Sequence, residues 1–170
     1  MTVTPLVTHF AGPVTRHGYA PTLPQVASLA ELAPYLSRRL ARCRRAGEQL
    51  AMLWIEIDPL PSPRADVPPD HRIELMRTAS LRVRNRVRGT DEVVQVGDIG
   101  FAVLLPAAGA SEAGLVAHRL RRTLTGAYEL EGRLAYLAVA MGEAVYPDCG
   151  PSGTELSQAA QQSLAMRQGA

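Results

Sequence analysis

The stretch RGTDEVVQVGDIGFAVLLP, residues 88–106, decides the fold. Its alternating apolar residues predict two short strands, with Val94 and Val96 running up and Phe101, Val103 and Leu105 running down. Gly97, Asp98, Ile99 and Gly100 form the tip of this hairpin. Upstream, the spacing of Ile73, Met76, Ser80, Val83 and Val87 predicts a helix over about 71–88 that Gly89 stops. Downstream, Val116, Leu120 and Leu124 predict another over 111–125.

Two apolar runs flank this unit. LAMLWIEI (50–57) reads as a buried central strand that delivers Glu56 and Asp58 to its C-terminal end. LAYLAVAMGEAVY (134–146) is long and apolar enough for a second central strand. The order is therefore β-α-β-β-α-β, an α+β arrangement with helices packed on one face of the sheet in the ferredoxin-like manner. A further helix precedes the first strand. Ser28 and Glu31 make a capping box, Leu29, Leu32, Leu36, Leu40 and Cys43 an apolar stripe, and Gly47 a C-terminal cap, with Pro34 as a flaw in the pattern. TELSQAAQQSLAMRQ (154–168) closes the chain as a helix, whereas the prolines of 59–70 forbid a regular element there. Residues 1–24, rich in Thr, Pro and Gly without periodicity, read as an extended N-terminal arm or linker, and residues 25–170 as one domain.

Composition narrows the function. In 170 residues the formal net charge is only +2 and 20% of residues are charged, so nothing in the total calls for a nucleic-acid polymer or a membrane surface. Every one of the 18 basic side chains other than histidine is arginine, and they crowd into RRLARCRR (38–45) and HRIELMRTASLRVRNRVR (71–88). Guanidinium groups suit planar partners such as guanine edges and phosphates, although solvated helix faces account for most of them. Cys43 and Cys149 fit no metal or redox spacing, and His9, His17, His71 and His118 fit no metal-site spacing. With no apolar run of about 18 residues and no signal peptide, the chain is expected to be cytoplasmic and not inserted in a membrane. Trp54 reads as core, His118 as a helix-surface residue, and Asp66 and Asp70 as solvated acids.

Taken together, these segments resemble a GGDEF domain of the diguanylate cyclase family. The likeness runs over about residues 22–168 and is carried by LP at 23–24, ELMRTASLRVRNRVRGTD, GFAVLLP and MGEAVYPDCG. It implies a palm-like βαββαβ core, related to that of nucleotide cyclases, in a family of bacterial signalling enzymes that join two GTP into cyclic di-GMP. Such chemistry needs a divalent cation held by carboxylates. By the resemblance, Glu56 matches the first carboxylate, while the signature pentapeptide falls on Gly97, Asp98, Ile99, Gly100 and Phe101. Ile99 replaces the second carboxylate and cannot bind a cation. Asp98 replaces the second glycine and would repel phosphates. The residues that read guanine fall at Arg64 and Ile73, and two lysines at Pro61 and Gln168. A degenerate signature, no catalytic residue, no metal and no cofactor are the expectation, and the chain is read as not an enzyme.

One site survives in the resemblance. The family's inhibitory R-x-x-D, which binds the product, ends five residues before the signature. Here it is Arg88-Gly89-Thr90-Asp91, and Arg119 on the following helix completes it. An arginine fork can bond guanine O6 and N7, an aspartate can accept from N1 and N2, and a second arginine can take a phosphate. The structural alternative is equally concrete: Arg in a last helical turn and Asp past a glycine are ordinary helix-end chemistry. Two functions follow, a non-catalytic cyclic di-GMP receptor that signals through a protein partner or homodimer, and an interaction module that needs no nucleotide. A weakly active cyclase is a third.

Overall fold

The computed structural model describes residues 23–59 and 69–168. Residues 1–22 of the expected arm lie outside the described residues, with His9 and His17, as do Pro61, Arg64, Asp66 and the side chain of Asp70. In chain order the elements are β1 (Gln25–Val26), α1 (Leu29–Ala46), β2 (Leu50–Pro59), α2 (Pro69–Arg84), β3 (Glu92–Val96), β4 (Gly100–Pro106), α3 (Ala110–Leu124), β5 (Tyr128–Leu130), β6 (Arg133–Ala135), β7 (Leu137–Tyr146) and α4 (Gly153–Gln168).

Five strands form one sheet in the order β1-β3-β4-β2-β7. β1 runs parallel to β3, and every other pairing in the sheet is antiparallel. The palm-like α+β core is present: β2 lies between β4 and β7, so Trp54 stands opposite Ala102 on one side and Gly142 on the other.

Helices cover both faces of this sheet, not one. Leu53, Ile55, Phe101, Val103 and Met141 point into a core shared with Met76 and Ala79 of α2 and Ala117 and Leu120 of α3. Met52, Trp54, Val94, Leu104 and Ala144 point the other way, into a core shared with Leu36 and Leu40 of α1 and Leu156, Ala160 and Leu164 of α4. This explains why Leu50–Ile55 is apolar without alternation: in a strand with two buried faces every side chain is removed from water.

Three further expectations are corrected. α2 ends at Arg84, four residues before Arg88, and Gly89 is therefore not its cap. Ile73 is 72% exposed, the buried stripe of α2 being Leu75, Met76, Ala79, Ser80 and Val83. The apolar run 134–146 is divided. Its first residues belong to β6, which pairs with β5 in a separate hairpin, and β7 starts at Leu137 as an edge strand rather than a central one. Length and polarity cannot distinguish one strand from a hairpin arm followed by another strand.

α1 follows the sequence reading. The Ser28 hydroxyl accepts the Glu31 N–H at 3.4 Å, and Glu31 in turn accepts the Ala27 N–H at 2.9 Å. Gly47 ends the helix at φ +68°, its N–H returning to the Cys43 carbonyl. Pro34 stays inside the helix at an exposed position.

Candidate functional site

Two corners of the fold carry the residues singled out by sequence. The first is the hairpin tip between β3 and β4, beside the end of β2. Gly97 adopts φ +60° and donates its N–H to the Val26 carbonyl at 2.9 Å, so a turn glycine is required there and the tip is tied to β1. The Ile57 N–H donates to the Ile99 carbonyl at 2.9 Å, which ties it to β2 as well. Phe101 is buried, Asp98 exposed, and the Ile99 side chain 50% exposed.

Trp54 decides what this corner can hold. Its indole lies against Gly100, where a Cβ would run into the ring and stand 2.8 Å from the Val96 carbonyl. Its Nε1 donates to Glu56 Oε1 at 2.9 Å. The carboxylate that matches the resemblance thus spends one acceptor position on a neighbour, and the space beside Gly100 is filled by an aromatic ring. Among the described residues no group of three or more His, Cys, Asp or Glu side chains is placed to hold a metal ion. With Ile99 supplying no donor, the residues present do not fit the family's divalent cation.

The second corner is the turn after α2. The Arg88 N–H donates to Asp91 Oδ2 at 2.7 Å, and the Asp91 N–H returns to the Arg88 carbonyl at 3.1 Å. Asp91 is 6% exposed, so its first role is to close the RGTD turn, while the Arg88 side chain is exposed. Arg84 of α2 adds a bond from Nη1 to the Asp91 carbonyl at 3.1 Å. Arg119 reaches this turn from α3, its Nε donating to the Arg86 carbonyl at 2.9 Å. The structure therefore brings Arg119 to within two residues of Arg88 in sequence, with Asp91 holding the turn between strand and helix.

Beside this corner α2 and α3 frame an open cleft of about 680 Å³. Its walls carry Arg82, Arg86, Arg119, Arg122 and His118, with Asn85 and Thr123, and no carboxylate. Arg82 is fixed: its guanidinium carbon stands 3.7 Å from the centre of the Tyr128 ring, and Nη2 donates to the Ala127 carbonyl at 2.7 Å. Arg88 and Asp91 do not line the cleft, whereas Arg119 does. The sequence singled out Arg119 but not Arg82, Arg86 or Arg122. Their spacing is that of neighbours on a helix face. What was illegible is that the end of α2 and the middle of α3 come together.

Comparison with known proteins places the chain. The model described as "Diguanylate cyclase, GGDEF domain" matches residues 22–168, and the chain belongs to this family. The GGDEF domain of PA1120 (YfiN or TpbB) from Pseudomonas aeruginosa is 26% identical, with a TM-score of 0.73 over 86% of this chain and 92% of that one. The coiled coil and GGDEF domain of DgcB from Caulobacter crescentus, solved in complex with c-di-GMP, is 16% identical, with a TM-score of 0.66 over 80% of this chain and 73% of that one. The cyclic di-GMP phosphodiesterase NbdA of Pseudomonas aeruginosa is 27% identical over 119 residues, which is 70% of this chain and only 15% of NbdA. The domain is thus related to cyclic di-GMP signalling.

Proposed function

We propose that this GGDEF domain is a non-catalytic receptor for cyclic di-GMP, bound at the corner of Arg88, Asp91 and Arg119, and that it signals through a protein contact. The observation that carries the reading is the Asp91-closed turn, to which α3 sends Arg119, beside a cleft rich in arginine and free of carboxylate among its walls. Arg88 presents a free fork to a guanine edge or base plane, and Arg119 keeps its Nη groups for a phosphate. Asp91 spends one lone pair on the Arg88 N–H, and a carboxylate has about four to offer. The fold is compatible with such a ligand, since DgcB has been solved with it. Loss of catalysis is supported by Ile99, which offers no metal ligand, and by the Trp54 ring against Gly100.

Calorimetric titration with cyclic di-GMP tests the binding. We expect saturable heat at about 50 µM ligand, weakened about tenfold or more by Arg88→Ala and by Arg119→Ala. No heat from the parent protein overturns the receptor reading. Incubation with GTP and magnesium or manganese tests the other half, for which formation of cyclic di-GMP would overturn the assignment as non-catalytic.

A second reading has one observation in its favour. Ile99 at the hairpin tip and Ile73 on α2 are 50% and 72% exposed, and large apolar side chains in water suit a nucleotide-independent protein contact. Absence of cyclic di-GMP binding together with partner binding that Ile99→Ser abolishes would favour it.

A further inference from the structure

We infer that the cleft between α2 and α3 is a site for a linear polyphosphate, held through Arg86, Arg119 and Arg122 without recognition of a base. The inference goes beyond the cyclic di-GMP reading and needs neither Arg88 nor Asp91. Its ground is the balance of charge and of donors. Four guanidinium groups line the cleft, and none is ion-paired with a carboxylate of the described residues. Like charges this close repel one another, Arg119 and Arg122 being a turn apart on α3. Stabilisation of a helix C-terminus accounts for Arg122 as it does for Arg121, but not for arginines of two elements that face one space.

Donor use separates these arginines. Arg82 is committed, with Nη1 on the Thr123 carbonyl, Nη2 on the Ala127 carbonyl and the guanidinium stacked on Tyr128, so it contributes field rather than bonds. Arg119 commits only Nε, leaving its two Nη groups. The guanidinium groups of Arg86 and Arg122 are exposed and make no hydrogen bond within the described residues. Three guanidinium groups with free forks match successive phosphate groups, each of which can accept two parallel N–H bonds. A cyclic dinucleotide offers only one charge on each of its two phosphodiesters, spread around a ring. A di- or triphosphate chain concentrates more charge in less length. With no carboxylate in the walls, the cleft lacks the charged acceptor that would select the N–H edge of guanine, and Asn85 and Thr123 offer only neutral ones. The cleft volume of about 680 Å³ is in the range of small-ligand sites and admits a phosphate chain with or without a nucleoside.

The test is titration of the whole chain with inorganic tripolyphosphate, with GTP and ATP as further arms. We expect one equivalent to bind, with GTP and ATP close to each other in affinity. Arg86→Ala and Arg122→Ala should each weaken tripolyphosphate by about tenfold or more, while Arg38→Ala on the exposed side of α1 leaves it unchanged. The emission of Trp54, the single tryptophan, reports that each variant is folded. Failure of tripolyphosphate to bind overturns the inference, as does binding that Arg38→Ala weakens as much as Arg122→Ala, the mark of diffuse attraction to a basic surface. Strong preference for GTP over ATP also overturns it, because a base would then be read. If cyclic di-GMP binds and tripolyphosphate does not, this inference fails and the receptor reading stands; the reverse result separates them the other way.

Discussion

Gly142 and Gly89 illustrate two uses of the same residue. A Cβ on Gly142 of β7 would collide with the Ala160 carbonyl of α4 and stand 2.5 Å from the Leu164 N–H, so the absence of a side chain sets how closely helix and strand pack. Gly142→Ala should therefore cost about 2–3 kcal/mol in denaturant titration followed by Trp54 emission. Gly89, which stands where the sequence predicts a helix cap, has open space where a Cβ would go and no positive φ. Gly89→Ala should change stability by less than about 0.5 kcal/mol in the same titration. The contrast separates a glycine needed for close approach from one that is not. Trp54 carries the same lesson at the hairpin tip. Its ring and indole N–H make the environment of Gly100 and Glu56, so Ile99→Asp alone is expected to leave the protein without cyclic di-GMP formation from GTP and magnesium.

At the scale of elements, β5 shows how a short strand joins two helices. Tyr128 is fully buried, its hydroxyl donates to the Leu124 carbonyl of α3 at 2.9 Å, and its ring receives Arg82 of α2. Burial raises the phenol above its ordinary value of 10.0, with Arg82 acting in the opposite direction. An acid whose folded pKa is raised holds its proton longer when folded, so stability falls as pH rises from the unfolded pKa toward the folded one. Denaturation midpoints compared between about pH 8 and about pH 11 should thus decline more for the parent protein than for Tyr128→Phe, which keeps the ring and has no proton to lose. An equal decline in both would assign the alkaline loss to other groups. The legibility of elements followed their signals. α1 is legible because Ser28, Glu31 and Gly47 mark its ends, whereas α2 ends at Arg84 with no glycine cap, four residues short of the end that Gly89 predicts. β1, β5 and β6 are two or three residues each and carry no periodicity to read.

At the scale of the molecule, the sheet is held from both sides and each side is needed. α4 places Leu156, Ala160 and Leu164 over Met52, Trp54, Ala144 and Tyr146. Removing the chain from Gly153 onward exposes that face of the two longest strands. The shortened protein should lose its cooperative unfolding transition and show red-shifted Trp54 emission; a sharp transition with native emission would contradict the two-core account. The same two-sided design positions the candidate sites, because α2 and α3 share one face and so bring Arg86 and Arg119 together.

The sequence by itself determined the order of the main elements, the buried central strand, the hairpin with its tip at Gly97–Gly100 and the family, because these rest on local periodicity and on the spacing of motifs along one chain. It also showed that Ile99 offers no donor, which is a property of the residue alone. Tertiary structure alone decided the rest. That Trp54 fills the space at Gly100 and engages Glu56, that Asp91 is buried in closing its own turn, and that arginines of two elements line one cleft all depend on distances between segments far apart in the chain. Periodicity reports which face of an element is buried, but only packing reports what that face meets.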